Sequence, residues 1–578
     1  MPKQGWSVRR SQIVTTYGVG AMVPVGVESV MVAGTDRWLA ADPDLHEPRL
    51  ERQLHVSGFR RPPASEDRDD LPVVRFPSWV SCPNPSCSVG LEHHDRLVGK
   101  RDNTCPECMT ELLPSRFVVA CRRGHIDDFP YFWWVHRGIR PEADSSHAMS
   151  IESAGTSSAL RDIRIICTCG RFSTMEGVFS RGALAGQACS GRRPWLREGE
   201  EGCDQTLRTL QRGASNVWFA VLRSALSIPP WSEGIFKVLN RHWQVLRAVP
   251  PEAIPATIES LYANTDMRGG GFQYTVEDLT AAVADRKRRE GEPEAVSDES
   301  IRSEEFEALL RGRAETGSDD EFVCEPADAI TPFCEQFFSR VMLAKRLLEV
   351  RALEAFTRIL PPSPGDPPEF RASLSLEESR WLPAIDVSGE GVFIALNEHR
   401  LSEWERRPGV IRRVSSISAN YRRIFDEQGR EPNRAVTPRL VLVHTLAHIL
   451  IAQWALDSGY PAASLRERLF ASADGAGMLI YTATSDSAGS LGGVIQQGRS
   501  SSLEASLREA VDRAAWCSSD PLCIEADAAG VDSLNLAACH ACVLLPEVSC
   551  EEMNVLLDRA LIAGAPGAPE LAFFDVGA

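Results

Sequence analysis

The 578 residues predict a multidomain α+β protein with cysteine-rich N-terminal lobes, a helical middle region and an α/β C-terminal domain closed by a further cysteine cluster. Three observations predict it. The length is several times the ~100 to 200 residues of one domain. The cysteines, sixteen in all, fall into groups with paired spacing instead of being scattered. Between those groups the apolar pattern is first mixed, then helical, then strand, helix and strand. The expected domains are a strand-turn region over 1–75, a region with two metal sites over 76–215, a helical region with a charged arm over 216–370, and the C-terminal domain over 371–578.

A formal charge of -17 and a pI near 5.3 argue against coating nucleic acid or anionic membrane by bulk electrostatics, so any such contact belongs to specific patches. There is no run of about 18 apolar residues, and the opening MPKQGWSVRR lacks the apolar core of a signal peptide. A cytoplasmic protein with no membrane segment is expected. In a reducing compartment, clustered cysteines serve as thiolate ligands and not as disulfides.

Trp6 to Val32 places Arg9 and Arg10 before a Thr-Thr-Tyr-Gly-Val-Gly turn and a β-branched run, with Gly18 and Gly20 as turn punctuation. A strand-turn-strand entry is favoured over a phosphate cradle built from backbone N–H groups and the two arginines. No GxxxxGK[ST] loop is present. A Pro- and charge-rich surface loop over 40–71 then leads to the first metal candidate.

Cys82 and Cys87, then Cys105 and Cys108, form two knuckles around an insert that carries Lys100 and Arg101. This is the layout of a zinc ribbon, because a tight turn aims two sulfurs at one tetrahedral ion. The block Cys121 to His136 places Cys121 and His125 beside Asp127 and Asp128, ahead of five aromatics. A metal-bound water with a carboxylate base is one reading. The favoured reading is structural, with Trp133 and Trp134 packed under the ribbon and Cys121 and His125 completing or buttressing it. Cys167, Cys169, Cys189 and Cys203 make a second set of four, with Arg192 and Arg193 nearby either touching phosphate or solvating the lobe. The two sets give zinc-ribbon-like N-terminal lobes.

Residues 216–262 read as helical, 269–320 as solvated helix and loop, and Phe333 to Ile359 as a long amphipathic helix, with Cys324 and Cys334 as buried thiols. Trp381 to Leu396 reads as strand-turn-strand around Gly389 and Gly391. A helix over Pro438 to Ser458 puts His444 and His448 on one face. Thr445 stands where a zinc-peptidase helix has its glutamate, so hydrolytic zinc is disfavoured and hydrogen-bonded core histidines are preferred. Met478 to Val494 reads as a buried strand and a Gly-Ser turn in which Asp486 and Ser487 cap a helix or meet phosphate. Finally, Cys517, Cys523, Cys539, Cys542 and Cys550 crowd one short segment, read as a closed structural zinc site.

RRSQIVTTYGVGAMV, ACRRGHIDDFPYFWWVH, WLPAIDVSGEGVF, LVHTLAHILI, LIYTATSDSAGSLGG, WCSSDPLCIE and NLAACHACVLLPEVSCE together resemble the DrmB family, the helicase-partner subunits of DISARM anti-phage defence. From about Trp381 onward the chain is also similar to the cysteine-containing domain of MrfA-type helicases, which makes 371–578 a helicase-associated domain. That resemblance implies zinc on Cys539, Cys542 and Cys550, with Cys523 as the fourth ligand and Cys517 as its alternative. It also implies a subunit that pairs with the helicase DrmA and assists recognition or loading of foreign DNA. The expected protein is therefore a non-catalytic partner subunit holding about three zinc ions, touching DNA through Arg9, Arg10, Lys100, Arg101, Arg192 and Arg193. The alternatives are a metal-dependent nuclease or hydrolase, using His444, His448 and Asp486 or Cys121, His125 and Asp127, and an autonomous DNA-binding protein.

Overall fold

The computed structural model describes residues 8–63, 70–84, 86–87, 89–97, 103–138, 147–153, 159–196, 201–264, 274–291, 296–316, 321–362, 366–427, 431–432, 434–473, 475–482, 492–530 and 533–574. The chain gathers into two compact units, one of residues 1–45, 56–223 and 351–385 and the other of 46–55, 224–350 and 386–578.

The first unit is made largely of short antiparallel strands. Its entry is a helix, Arg10–Thr15, whose Gln12 side chain accepts from the Arg9 N–H at 3.1 Å, where strand was expected. The hairpin Met22–Val25 with Glu28–Val32 follows, pairing Met22 with Met31. Gly20 sits at φ +78, and a Cβ there would lie 2.5 Å from the Phe356 ring, so the turn and the close approach both require glycine. The fully buried Arg358 donates to the carbonyls of Gly20, Gly124 and Val217 at 2.6 to 2.8 Å, tying three loops together. One sheet has the order Phe172–Thr174, Ile163–Cys167, Met149–Ser153, Leu91–His93, Trp79–Ser81, Leu113–Pro114, and a second sets Phe117–Ala120 between Arg208–Gln211 and Ile126–Asp128. Phe117, Phe129, Tyr131 and Trp134 pack with Cys121, Cys167 and Cys189 in one apolar cluster. Trp133 packs against its edge.

The largest sheet among the described residues has seven strands. We number the elements that matter here as β1 (Phe219–Leu226), α1 (Asp298–Arg311), β2 (Val323–Pro326), β3 (Phe338–Thr357), β4 (Leu382–Leu396), α2 (Pro438–Ser458), β5 (Leu465–Ser472), β6 (Gly475–Thr482) and α3 (Ser500–Ala514). The order is β1-β3-β4-β6-β5, with β2 on β3 and Phe59–Arg60 on β4. Both faces are buried, and the period of two along each strand decides which residue goes where. Val341, Leu343, Val392, Ile394, Met478 and Ile480 join the core containing α2. Met342, Ala344, Phe393, Ala395, Leu479 and Tyr481 join the core containing Ala308 and Leu309 of α1.

Three sequence expectations are corrected here. The predicted helix over Phe333 to Ile359 is a short helix, Pro332–Glu335, followed by the 20-residue strand β3. A strand covered on both faces reads as a nearly continuous apolar run, and tertiary burial outweighs the helix propensity of its Leu, Ala, Glu and Arg. Cys324 and Cys334 are buried, as expected. The predicted turn at Gly389 and Gly391 is the middle of one 15-residue strand, β4. A Cβ at those glycines would come within 1.8 Å of the Thr482 carbonyl and 2.6 Å of the Ile480 carbonyl, so they admit β6 instead of bending the chain. Third, the helical region over 216–262 opens with strand β1 before its helices begin.

α2 has the predicted bounds. Thr437 caps it by accepting from the Leu440 N–H, Pro438 occupies its first turn, and Gly459 ends it at φ +70. It is the one described helix long and apolar enough to cross a membrane, and 78% of its apolar window is buried inside the protein, as a core helix would be.

Candidate metal centres

Five groups of four side chains bring their ligand atoms within 4.8 Å of one another among the described residues. For a tetrahedral ion with bonds of about 2.0 to 2.3 Å, neighbouring ligand atoms lie about 3.3 to 3.8 Å apart, so short contacts between donors are the geometry such an ion needs.

The first group is Cys82, Cys87, Cys105 and Cys108, the quartet expected from spacing. Cys82 Sγ lies 3.4 Å from Cys108 Sγ, and Cys87 Sγ lies 3.6 Å from Cys105 Sγ. Cys82 leaves the strand Trp79–Ser81, and a small apolar cluster of Val80, Leu112 and Cys105 supports both knuckles. The Cys108 thiol is pulled down to about 6, first by its hydrogen bond with the Thr110 side chain. It is thereby prepared as a thiolate.

The expected second quartet is divided. Cys189 and Cys203 join Cys121 and His125, whereas Cys167 and Cys169 join His136 and His147. His125 Nδ1 lies 3.4 Å from Cys121 Sγ and 3.7 Å from Cys189 Sγ, and its Nε2 meets the Glu201 carboxylate at 2.7 Å. The carboxylate therefore holds the ring with Nδ1 aimed at the sulfurs, the usual support for a metal-bound histidine. Cys189 is pushed up to about 12, first by its hydrogen bond with Cys121 and then by burial, while Cys121 is lowered. In the other group, His136 Nδ1 donates to the Phe132 carbonyl at 2.7 Å, which leaves Nε2 facing Cys169 Sγ at 3.4 Å. His147 Nδ1 lies 3.2 Å from Cys167 Sγ. Spacing along the chain paired neighbours in sequence, but the strand Ile163–Cys167 and the helix Tyr131–His136 pack on each other and exchange the partners. His136 and His147 were missed as ligands, and the aromatic run around His136 is what hid it.

Near the C-terminus the group is Cys517, Cys523, Cys539 and Cys542. Cys517 to Cys539 is 3.5 Å, Cys523 to Cys542 is 3.7 Å and Cys539 to Cys542 is 3.6 Å. Asp520 orders the loop that carries the first two sulfurs by accepting from the N–H groups of Cys517 and Ile524 and by pairing with Arg559. Cys517 and Cys523 thus enter together, and Cys550 leaves the expected set. Cys550 Sγ lies instead 3.2 Å from His444 Nε2, in a fifth group with His448 and Glu467. Burial, and after it the Glu467 charge, push the Cys550 thiol well above its ordinary range.

The cationic candidates separate as well. Arg192 is paired with Asp127 at 2.8 Å and with Asp128 at 3.5 Å, and Arg193 with Glu201 at 3.1 Å, so both brace the lobe around His125. Asp127 also accepts from Ser190. Arg9 and Arg10 flank the start of the first helix. Lys100, Arg101, Asp486 and Ser487 lie outside the described residues.

Comparison with known proteins places a zinc-binding domain around the C-terminal quartet. Residues 446–543 match the MrfA Zn-binding domain, and residues 9–219 match a domain of unknown function, DUF8724. The C-terminal cysteine quartet lies wholly inside the first match. A protein of Bacillus paralicheniformis described as DISARM protein DrmB is 30% identical over 540 residues, covering 92% of this chain and 95% of its own length. With that likeness running through both units and a zinc-binding domain at its C-terminal end, the chain belongs to the DrmB family of DISARM proteins.

Proposed function

We propose that this DISARM subunit is a non-catalytic partner of a DNA helicase, DrmA, and supplies a metal-stapled scaffold that assists recognition or loading of foreign DNA. The observation that carries the reading is that each of the four cysteine-rich groups brings four side-chain ligands together, so a bound zinc would have a closed shell and no position for a reacting water. Zinc at these four groups holds the fold, with Cys82, Cys87, Cys105 and Cys108 in the first, Cys121, His125, Cys189 and Cys203 in the second, His136, His147, Cys167 and Cys169 in the third, and Cys517, Cys523, Cys539 and Cys542 in the fourth.

The form of the hydrolase alternative built on Cys121 and His125 needs Asp127 as a base, and that carboxylate is occupied by Arg192 and Ser190. DNA contact is assigned to the complex, with Arg9 and Arg10 as this chain's contribution and the net charge of -17 working against tight binding alone. Co-purification of the full chain with DrmA at moderate salt tests the reading. A stable complex is expected, and no complex would overturn it. Metal-dependent cleavage of DNA by the purified chain, abolished by Asp127→Asn, would favour the hydrolase.

A further inference from the structure

His444, His448, Glu467 and Cys550 converge from three separate elements. α2 presents the two histidines one turn apart, β5 presents Glu467, and the turn after Glu547–Ser549 presents Cys550. His444 Nε2 lies 3.2 Å from Cys550 Sγ and 3.3 Å from Glu467 Oε1, and His448 Nε2 lies 3.5 Å from the same oxygen. These separations fit the edges of a tetrahedron around one ion with bonds of about 2.0 to 2.3 Å. Both histidines and Glu467 are fully buried, and Cys550 is 5% exposed.

The hydrogen bonds around the group leave three of its buried polar atoms without a hydrogen-bond partner. His448 Nδ1 lies 2.9 Å from the Val543 carbonyl, which can only accept, so Nδ1 carries a proton and Nε2 is the ring atom turned to the carboxylate. Glu467 Oε1 already accepts from the Glu551 N–H at 3.1 Å. Cys550 Sγ accepts from the N–H groups of Glu552 at 3.3 Å and Asn554 at 3.2 Å. His448 Nε2, Glu467 Oε2 and His444 Nδ1 are buried with no hydrogen-bond partner. Nor does the neighbouring arginine help. Arg468 points to the opposite face of β5, where Glu305 holds its guanidinium at 2.6 and 2.7 Å. A bound divalent ion would take Cys550 as a thiolate, and with the Glu467 carboxylate and two neutral imidazoles the group would then be neutral.

We infer that His444, His448, Glu467 and Cys550 form a fifth metal centre, a closed structural site for a divalent ion of the zinc class that pins α2, β5 and the chain after the cysteine quartet to one another. The match to the MrfA Zn-binding domain takes in His448 and Glu467 but neither His444 nor Cys550, so it does not cover the whole group. The inference stands apart from the helicase-partner reading and does not depend on it.

The test uses the full chain. Zinc-edge anomalous diffraction from crystals of the unmutated protein is expected to place a peak between these four side chains. Peaks at the cysteine-rich groups with none here would overturn the inference. In solution, elemental analysis of Cys550→Ser and of Glu467→Gln is expected to lose one ion per chain relative to wild type, while the other centres keep theirs. Unchanged metal content in both folded variants would equally overturn it. If either variant fails to fold, the anomalous map of the unmutated protein still decides.

Discussion

In the first unit the strands around the metal groups are three to five residues long and pack on small apolar clusters, whereas in the second unit a 21-residue helix lies on eight-residue strands within a far larger core. The ligand groups sit differently too. Those of the first unit are strung along loops between short strands, and one sulfur, Cys169, is exposed. In the second unit His444, His448 and Glu467 lie inside the sheet-and-helix core itself. On the proposed reading, metal does the work of a core where apolar burial is meagre, and Cys517, Cys523, Cys539 and Cys542 do the same on loops of the second unit. His444, His448, Glu467 and Cys550 would instead use metal to resolve polar groups that an ample core has enclosed.

Strand β5 makes the second case concrete. Successive residues alternate faces, so Glu467 faces α2 and Arg468 faces α1 and Glu305. Both are buried. The same alternation places charge on both sides of one strand, and each charge has its own partner set.

The largest expected break in this comparison comes from stripping metal. Structural zinc contributes on the order of 10 kcal/mol in small zinc-dependent folds. Chelation should therefore make the segments around Cys82 to Cys108 and Cys121 to Cys203 exchange amide hydrogens freely, while α2 remains protected. Equal loss of protection in both units would remove the distinction. Next in size is Arg468→Ala, which leaves Glu305 buried without its cation and is expected to cost roughly 3 to 5 kcal/mol in urea unfolding. Replacing both residues with apolar side chains of similar volume should recover most of that loss, and no recovery would count against the pair being self-contained.

A smaller effect is expected at Glu201, which holds His125 at 2.7 Å. Glu201→Gln should weaken metal retention at that group by roughly 10- to 100-fold in competition with a chelator, as supporting carboxylates do. Smallest is the cap of α2. Thr437→Ala removes one acceptor at the helix start and should cost about 1 kcal/mol. A loss as large as that of Arg468→Ala would mean that α2 depends on local capping more than on its core.

Much of this was legible in the sequence where the signal is local. Thr437, Pro438 and Gly459 bracket α2 within one or two residues of its ends, and the knuckles at Cys82, Cys87, Cys105 and Cys108 fall together because short turns bring them together. What was not legible depends on distant packing. Strand β3 carries helix-forming residues and gives itself away only through burial on both faces. The exchange of partners among Cys121, Cys167, Cys169, Cys189 and Cys203 is set by tertiary contact across as many as 82 residues. Glu467 lies in an ordinary-looking Leu-Arg-Glu-Arg-Leu run, and nothing in that run announces that His444 and Cys550 meet it. Cys550 belonged by spacing to the cysteines before it, and by folding to a helix 106 residues away.

The account rests on metal as the staple of both units, so the most direct measurement is the metal-to-chain ratio of the full protein as purified. Zinc at five ions per chain is the predicted result, with four belonging to the cysteine-rich groups and one to the buried group on α2. A folded protein carrying one ion or none would contradict it.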